Sequence, residues 1–316
     1  MNKPVAAALL LVACVSGAQQ TPAKQDSAPK EPPTQQMDFF QRGTNGSIFI
    51  YGTEVDPCTA LPPEKTLVPR GSGFVTGLVR PHPSTPHPWA GWKLLVSAKH
   101  VVEGQAEIVV RVNADNQSKF VCKTLKLQTQ GPERNVVLAR PGVDLVAILL
   151  PQIEGADPTL VPSSYVLDEA RMKSASIGVG TQVVTIGYLL GYSGRKANFP
   201  IAKFGHISVI TDEDWYLSPN SHMMEQGLLL DLANAPGLSG APVFVYGVEI
   251  ETDPFRYRRL PSLLVGVVKG LLLAPAGQSM ISQGVAVIEP ASNLRNLMRQ
   301  VSALLKARGA KVEEID

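Results

Sequence analysis

No run of about 18 or more apolar residues occurs anywhere in the chain, so nothing in it reads as a bilayer-spanning helix. Charge of one sign is also short. Charged residues make up 18% of the chain and the formal net charge is +2, too little to draw nucleic acid or acidic lipid as the main partner. No repeat of about 20–50 residues is present, which sets aside solenoids and propellers. Cysteine is scarce, with three in 316 residues. What the chain does hold is 26 prolines, 27 glycines and many short Val/Ile/Leu runs within an apolar fraction of 44%. That mixture predicts a turn-rich β fold with room for one large or two moderate domains.

The first 18 residues have the layout of an export signal. Lys3 supplies a positive start, Val5 to Cys14 a short apolar run, and Ser16-Gly17-Ala18 small residues suited to cleavage. Leu11-Val12-Ala13-Cys14 also resembles a bacterial lipobox, in which Cys14 becomes the lipidated first residue. Either route predicts export to a bacterial periplasm or envelope, with membrane contact only through a lipid on Cys14. Residues 19–45 are rich in Gln, Pro, Lys, Ser and Thr and read as a tether that cannot bury enough surface to order itself. With Cys14 in the signal, Cys58 and Cys122 remain. In an oxidising compartment they either form one disulfide or stay as two buried thiols. Pro81 to Pro88 carries His82 and His87 without a nearby carboxylate or cysteine, so it reads as a solvent-exposed loop and no metal site is expected.

Three stretches carry chemistry. Gly237-Leu238-Ser239-Gly240-Ala241-Pro242 sits between two apolar runs, so Ser239 occupies a tight turn between strands. A serine hydroxyl needs an adjacent base, itself held by a third group. The backbone N–H groups of Gly237 and Ser239 are placed to stabilise an oxyanion. Lys93 to Val102 reads as a strand with His100 near its end, able to serve as base and then acid near neutral pH. Asp144 leads the apolar strand Leu145 to Leu150, where a buried carboxylate needs a partner such as the His100 Nδ1–H. The chain order is His100, Asp144, Ser239, with gaps of 44 and 95 residues. That order and spacing match the chymotrypsin arrangement, whose gaps are about 45 and about 93. The order Ser, acid, His of the α/β-hydrolases is excluded because the last histidine is His222.

On these blocks, with Gly71-Ser72-Gly73-Phe74, the chain resembles the trypsin-like (chymotrypsin-fold) bacterial serine peptidases, in the neighbourhood of the high-temperature-requirement proteases. The resemblance implies an all-β domain over residues 46–290, built as two six-stranded antiparallel β-barrels (about 46–160 and 170–290). A C-terminal α-helix would follow within residues 291–316, packed on the second barrel. Leu294, Met298, Val301 and Leu305 would form its apolar face, with Ser292 as N-cap. With 26 residues after Pro290, no peptide-binding PDZ module is expected. The implied activity is hydrolysis of protein or peptide substrates through an acyl-enzyme, without cofactor or metal. Ala233, Val268 and Gly270 would line the specificity pocket, and an uncharged Ala233 favours small or medium apolar side chains. Leu238 stands where many animal members carry an aspartate that pairs with a cut N-terminus, so that mode of activation is not expected. Val268-Lys269-Gly270 replaces a serine-containing stretch that often supports the aspartate, which leaves the support of Asp144 unspecified. The alternative of another class is an inactive scaffold of the same fold that binds a protein partner.

Overall fold

The computed structural model describes residues 45–54, 57–58, 69–79, 91–114, 119–158, 160–189, 194–210, 216–217, 224–225, 227–232, 236–246, 249–253, 256–259, 263–276 and 279–312. The segment with Cys14, the tether up to residue 44, the loop with His82 and His87, and Ala233 lie outside the described residues. Short apolar runs punctuated by Gly, Pro and Asp form β1 (Ser47–Tyr51), β2 (Gly71–Val79) and β3 (Gly91–Ala98). A single helical turn, α1 (Lys99–Val102), precedes β4 (Glu107–Asn113), β5 (Phe120–Lys126), β6 (Val136–Leu138), β7 (Leu145–Leu149) and β8 (Leu160–Pro162). After α2 (Glu169–Ser174) come β9 (Gln182–Gly187), β10 (Ile201–Ile210), β11 (Tyr216–Leu217), β12 (Met224–Glu225) and β13 (Leu228–Asp231). The chain closes with β14 (Pro242–Val245), β15 (Glu249–Asp253), β16 (Arg256–Arg259), β17 (Leu264–Ala276), β18 (Ser279–Pro290) and α3 (Ala291–Ala307).

The larger strands make two sheets. The second is a closed antiparallel barrel in the order β10-β13-β18-β17-β14-β9. The first runs β5-β4-β1-β2-β3-β7-β6, with β8 added parallel to β2. This is the chymotrypsin-like all-β architecture with a C-terminal helix. It departs from two closed six-stranded barrels in two respects: the first sheet has eight strands, and among the described residues it is open between β5 and β6. Asn135 spans that gap, its Nδ2 donating to Lys126 O at 2.8 Å and its Oδ1 accepting from Gln128 N at 2.8 Å. Its backbone N–H also reaches Gln128 O at 2.9 Å. The Asn135 side-chain amide thus supplements the few backbone bonds here, among them Val136 N to Gln128 O at 3.1 Å, that the three-residue β6 can make. Cys58 and Cys122 are joined as a disulfide with Cα atoms 6.1 Å apart, tying β5 to the segment after β1.

Alternation explains why the central strands read as unbroken apolar runs. β3 sends Leu95 into the first sheet's own cluster with Ile48, Val110 and Val146. Its neighbours Leu94 and Val96 enter a second cluster shared with Val184, Leu230, Val243 and Ile288 of the barrel. Helix α3 adds Leu294, Met298, Val301 and Leu305 to that shared cluster. It lies against β6 and β7 as well as β17 and β18, so it seals the junction of both sheets rather than resting on the second barrel alone. Arg295 Nη1 also donates to Val166 O at 2.9 Å in the connection between sheets. The expected Ser292 cap is not used. Pro290 ends β18 in an extended conformation and is itself the N-cap residue, which places Ser292 inside the first turn. Proline has no N–H and so costs nothing where helix donors are unpaired.

Candidate active site

Strand register brings His100 and Asp144 together. β3 pairs antiparallel with β7, and Ala98 stands opposite Leu145, so the residues just beyond each end are neighbours. The strand does not continue to Val102 as the sequence pattern suggests; it stops at Ala98, and His100 lies in α1. The turn is held by Asp144 itself. Its backbone O accepts from Lys99 N at 3.2 Å, and its carboxylate Oδ1 accepts from His100 N at 3.0 Å. Oδ2 takes the ring, at 2.6 Å from His100 Nδ1. An ionised carboxylate is an acceptor only, so this bond calls for a proton on Nδ1 of the ring. About a third of the His100 side chain remains exposed (33%), against 15% for Asp144.

The Ser239 turn is clamped from both sheets. Ser72 N, at the start of β2, donates to Ser239 O at 2.8 Å, and Ser72 Oγ donates to Gly237 O at 2.8 Å. From the barrel side, Gly240 N donates to Val268 O at 2.8 Å and Val268 N to Ala241 O at 2.9 Å. Gly237 and Gly240 have φ of 102° and 87°, a region that disfavours any side chain. At Gly240 a Cβ would also lie 2.1 Å from Ser72 O and 2.3 Å from Ser97 Oγ, so no other residue fits. The Ser239 hydroxyl donates to Lys269 O at 3.5 Å, a long bond. Among the described residues no hydrogen bond joins Ser239 Oγ to the His100 ring, and neither the Gly237 nor the Ser239 amide is paired with an acceptor.

Behind Asp144 lies a group that the sequence reading left out. Glu289, at the end of β18, is 2% exposed, and Lys269 on β17 is 8% exposed. Lys269 Nζ is 3.2 Å from Glu289 Oε1. The same oxygen accepts from Asp144 N at 2.9 Å, and Oε2 accepts from Asn293 Nδ2 at 3.0 Å. Val267 stands opposite Glu289 in the ladder, and Lys269 lies two residues further along β17. The register shifts between Val268 and Gly270, which places a bulge at Lys269. Burial pushes the Glu289 carboxyl above its ordinary value, opposed by the Lys269 charge and by the Asp144 and Asn293 donors. The signal was present as two lone opposite charges, each set in an otherwise apolar run.

Of the positions expected to line a specificity pocket, Val268 is fully buried in the shared cluster. A Cβ on Gly270 would meet no atom within 4 Å, so open space adjoins the strand there.

No protein-family model and no curated protein matches the chain. Among solved structures it is similar to the MamO protease domain from Magnetospirillum magneticum in its apo form. That match has 15% identity over 81% of this chain and 97% of that one, with a TM-score of 0.49. It is similar to the HtrA-type protease AlgW with a decapeptide, at 15% identity over 83% of this chain and 66% of that one, TM-score 0.46. The inactive form of the Rv3671c protease is matched at 15% identity over 87% of this chain and 98% of that one, TM-score 0.47. Similarity at this level leaves the functional argument to the chain's own residues.

Proposed function

We propose that this chain is an exported serine endopeptidase that cleaves peptide bonds through His100, Asp144 and Ser239. The observation that carries the reading is the Asp144–His100 pair, with one carboxylate oxygen on the backbone of α1 and the other 2.6 Å from the ring Nδ1. This fixes the tautomer a general base requires, beside a serine turn clamped from both sheets. In this reading Ser239 Oγ leaves Lys269 O for another rotamer and takes His100 Nε2 as its partner. Oγ then attacks the peptide carbonyl while Nε2 takes its proton, and the Gly237 and Ser239 amides receive the oxyanion. His100 returns the proton to the leaving amine, and water hydrolyses the acyl-enzyme by the same route. The chemistry draws on side chains and backbone alone. Ala233 and Gly270 belong to the proposed specificity pocket, for small or medium apolar side chains, whereas Val268, expected beside them, is buried in the shared core. Export, and lipid attachment at Cys14 or cleavage after Ala18, belong to the same reading and rest on the sequence.

The resting bond from Ser239 Oγ to Lys269 O favours a second reading, an inactive binding scaffold. One experiment separates them. The mature protein and a Ser239→Ala control are treated with a fluorophosphonate probe at neutral pH. Covalent labelling confined to the wild type supports the peptidase, and labelling of neither supports the scaffold.

A further inference from the structure

Asp144 is gripped by atoms from both sheets. Its carboxylate and backbone O hold α1, whereas its backbone N–H points into barrel two and ends on Glu289 Oε1 at 2.9 Å. Three donors converge on that one side chain: Asp144 N, Lys269 Nζ and Asn293 Nδ2. Convergent donors with no acceptor among them favour the ionised carboxylate, which only accepts, while burial works against them and raises the carboxyl above its ordinary value. The buried Lys269 balances its charge, and a buried ion pair on the face of a barrel is costly to keep for stability alone. Lys269 is also the residue whose backbone O holds the Ser239 hydroxyl. The pair thus holds the acid through a Glu289 oxygen, and the Lys269 backbone lies 3.5 Å from the Ser239 hydroxyl.

We propose that Glu289, paired with Lys269, is the positioning residue for Asp144: it anchors the Asp144 main chain from barrel two, so that docking of the two sheets sets the carboxylate that orients His100. The proposal rests on the peptidase reading for its catalytic meaning but not for its structural test. Glu289 does not touch substrate or the reacting atoms, and it acts through Asp144.

The test compares two full-length double variants in which the buried pair is replaced without leaving a lone charge. Lys269→Met with Glu289→Gln keeps an oxygen for the Asp144 N–H. Lys269→Met with Glu289→Leu removes it at similar volume, and apolar replacement of a buried ion pair is generally tolerated by folds. The first readout is the far-downfield proton resonance of the His100 Nδ1–H, assigned by its loss in Asp144→Ala. The second is the fluorophosphonate labelling rate of Ser239. The resonance is expected to stay sharp with Gln and to broaden or vanish with Leu, and labelling to be about tenfold slower with Leu than with Gln, in line with the sensitivity of such sites to small misplacements. Equal resonances in the two folded variants overturn the proposal, whatever the labelling does. Rapid hydrogen exchange of the Asp144 amide in the unmutated protein overturns it too, without any variant. If the wild type does not label while the resonance responds as expected, the peptidase reading fails and the positioning role of Glu289 stands.

Discussion

At the scale of single residues, Asp144 is the busiest group in the site. Replacing it with Asn keeps the shape but offers an N–H where the ring needs an acceptor, so the imidazole is driven to the wrong tautomer. Asp144→Asn is therefore expected to lower fluorophosphonate labelling by about 10³–10⁴-fold at neutral pH, with a circular dichroism spectrum like that of the wild type. Glu289 allows a test by pH. Its carboxyl is raised above 4.5 by burial first of all, with Lys269 opposing. A raised acid binds its proton more tightly in the folded protein, so its contribution to stability is fully present below about pH 4.5 and is lost as pH rises through the folded value. The stability of the wild type relative to Lys269→Met/Glu289→Gln should therefore fall as pH rises from 4.5 toward neutrality, measured by urea unfolding. A gap that widened in favour of the wild type over that range would show the carboxyl to be lowered instead.

At the scale of elements, the turn around Ser239 owes its shape to positions that only glycine can hold. Gly240→Ala places a methyl against Ser72 O and Ser97 Oγ at a φ of 87°. The expected cost is at least about 2 kcal/mol, read as a lower urea midpoint, with labelling lost because Ser239 moves with the turn. Helix α3 is the other element on which the site depends, because Asn293 in its first turn holds Glu289 and its apolar face fills the shared core. Leu294→Ala should cost about 2–5 kcal/mol, whereas Gln300→Ala on the exposed side of the helix should change stability by less than about 0.5 kcal/mol.

At the scale of the whole molecule, three ties join parts far apart in sequence. The shared core and α3 are the first. The second is Arg111 of β4, which is buried under the rings of Phe49, Tyr51 and Phe120. Its Nε donates to Asn198 Oδ1 at 2.6 Å, which links the first sheet to the segment before β10. The third is the Cys58–Cys122 disulfide, which spans 64 positions of sequence. Its chain-entropy contribution is about 4 kcal/mol, so Cys58→Ser/Cys122→Ser should unfold at markedly lower urea concentration than the oxidised wild type. Equal midpoints under non-reducing conditions would show that the bond constrains nothing the rest of the fold has not already constrained.

What the sequence determined by itself was local or ordinal. Apolar runs separated by turn residues marked most long strands, because burial on both faces keeps Leu94 to Val96 of β3 and Leu145 to Leu149 of β7 apolar. The order His100, Asp144, Ser239 and its spacing were legible for the same reason that motifs are, since each sits in a short stretch with its own turn or strand signature. Tertiary structure decided the rest. The strand ends at Ala98, opposite Leu145, and the chain turns into α1 before it would place His100 in the sheet, which no periodicity in residues 93–102 announces. The Lys269–Glu289 pair depends on a bulge and a ladder between strands, and its grip on Asp144 on how two sheets dock. The partner of the Ser239 hydroxyl is likewise chosen across the barrel, by Lys269 O. Periodicity records which side of an element faces inward; it does not record which distant atom waits there, because that is set by register and by packing between chain segments that share no sequence neighbourhood.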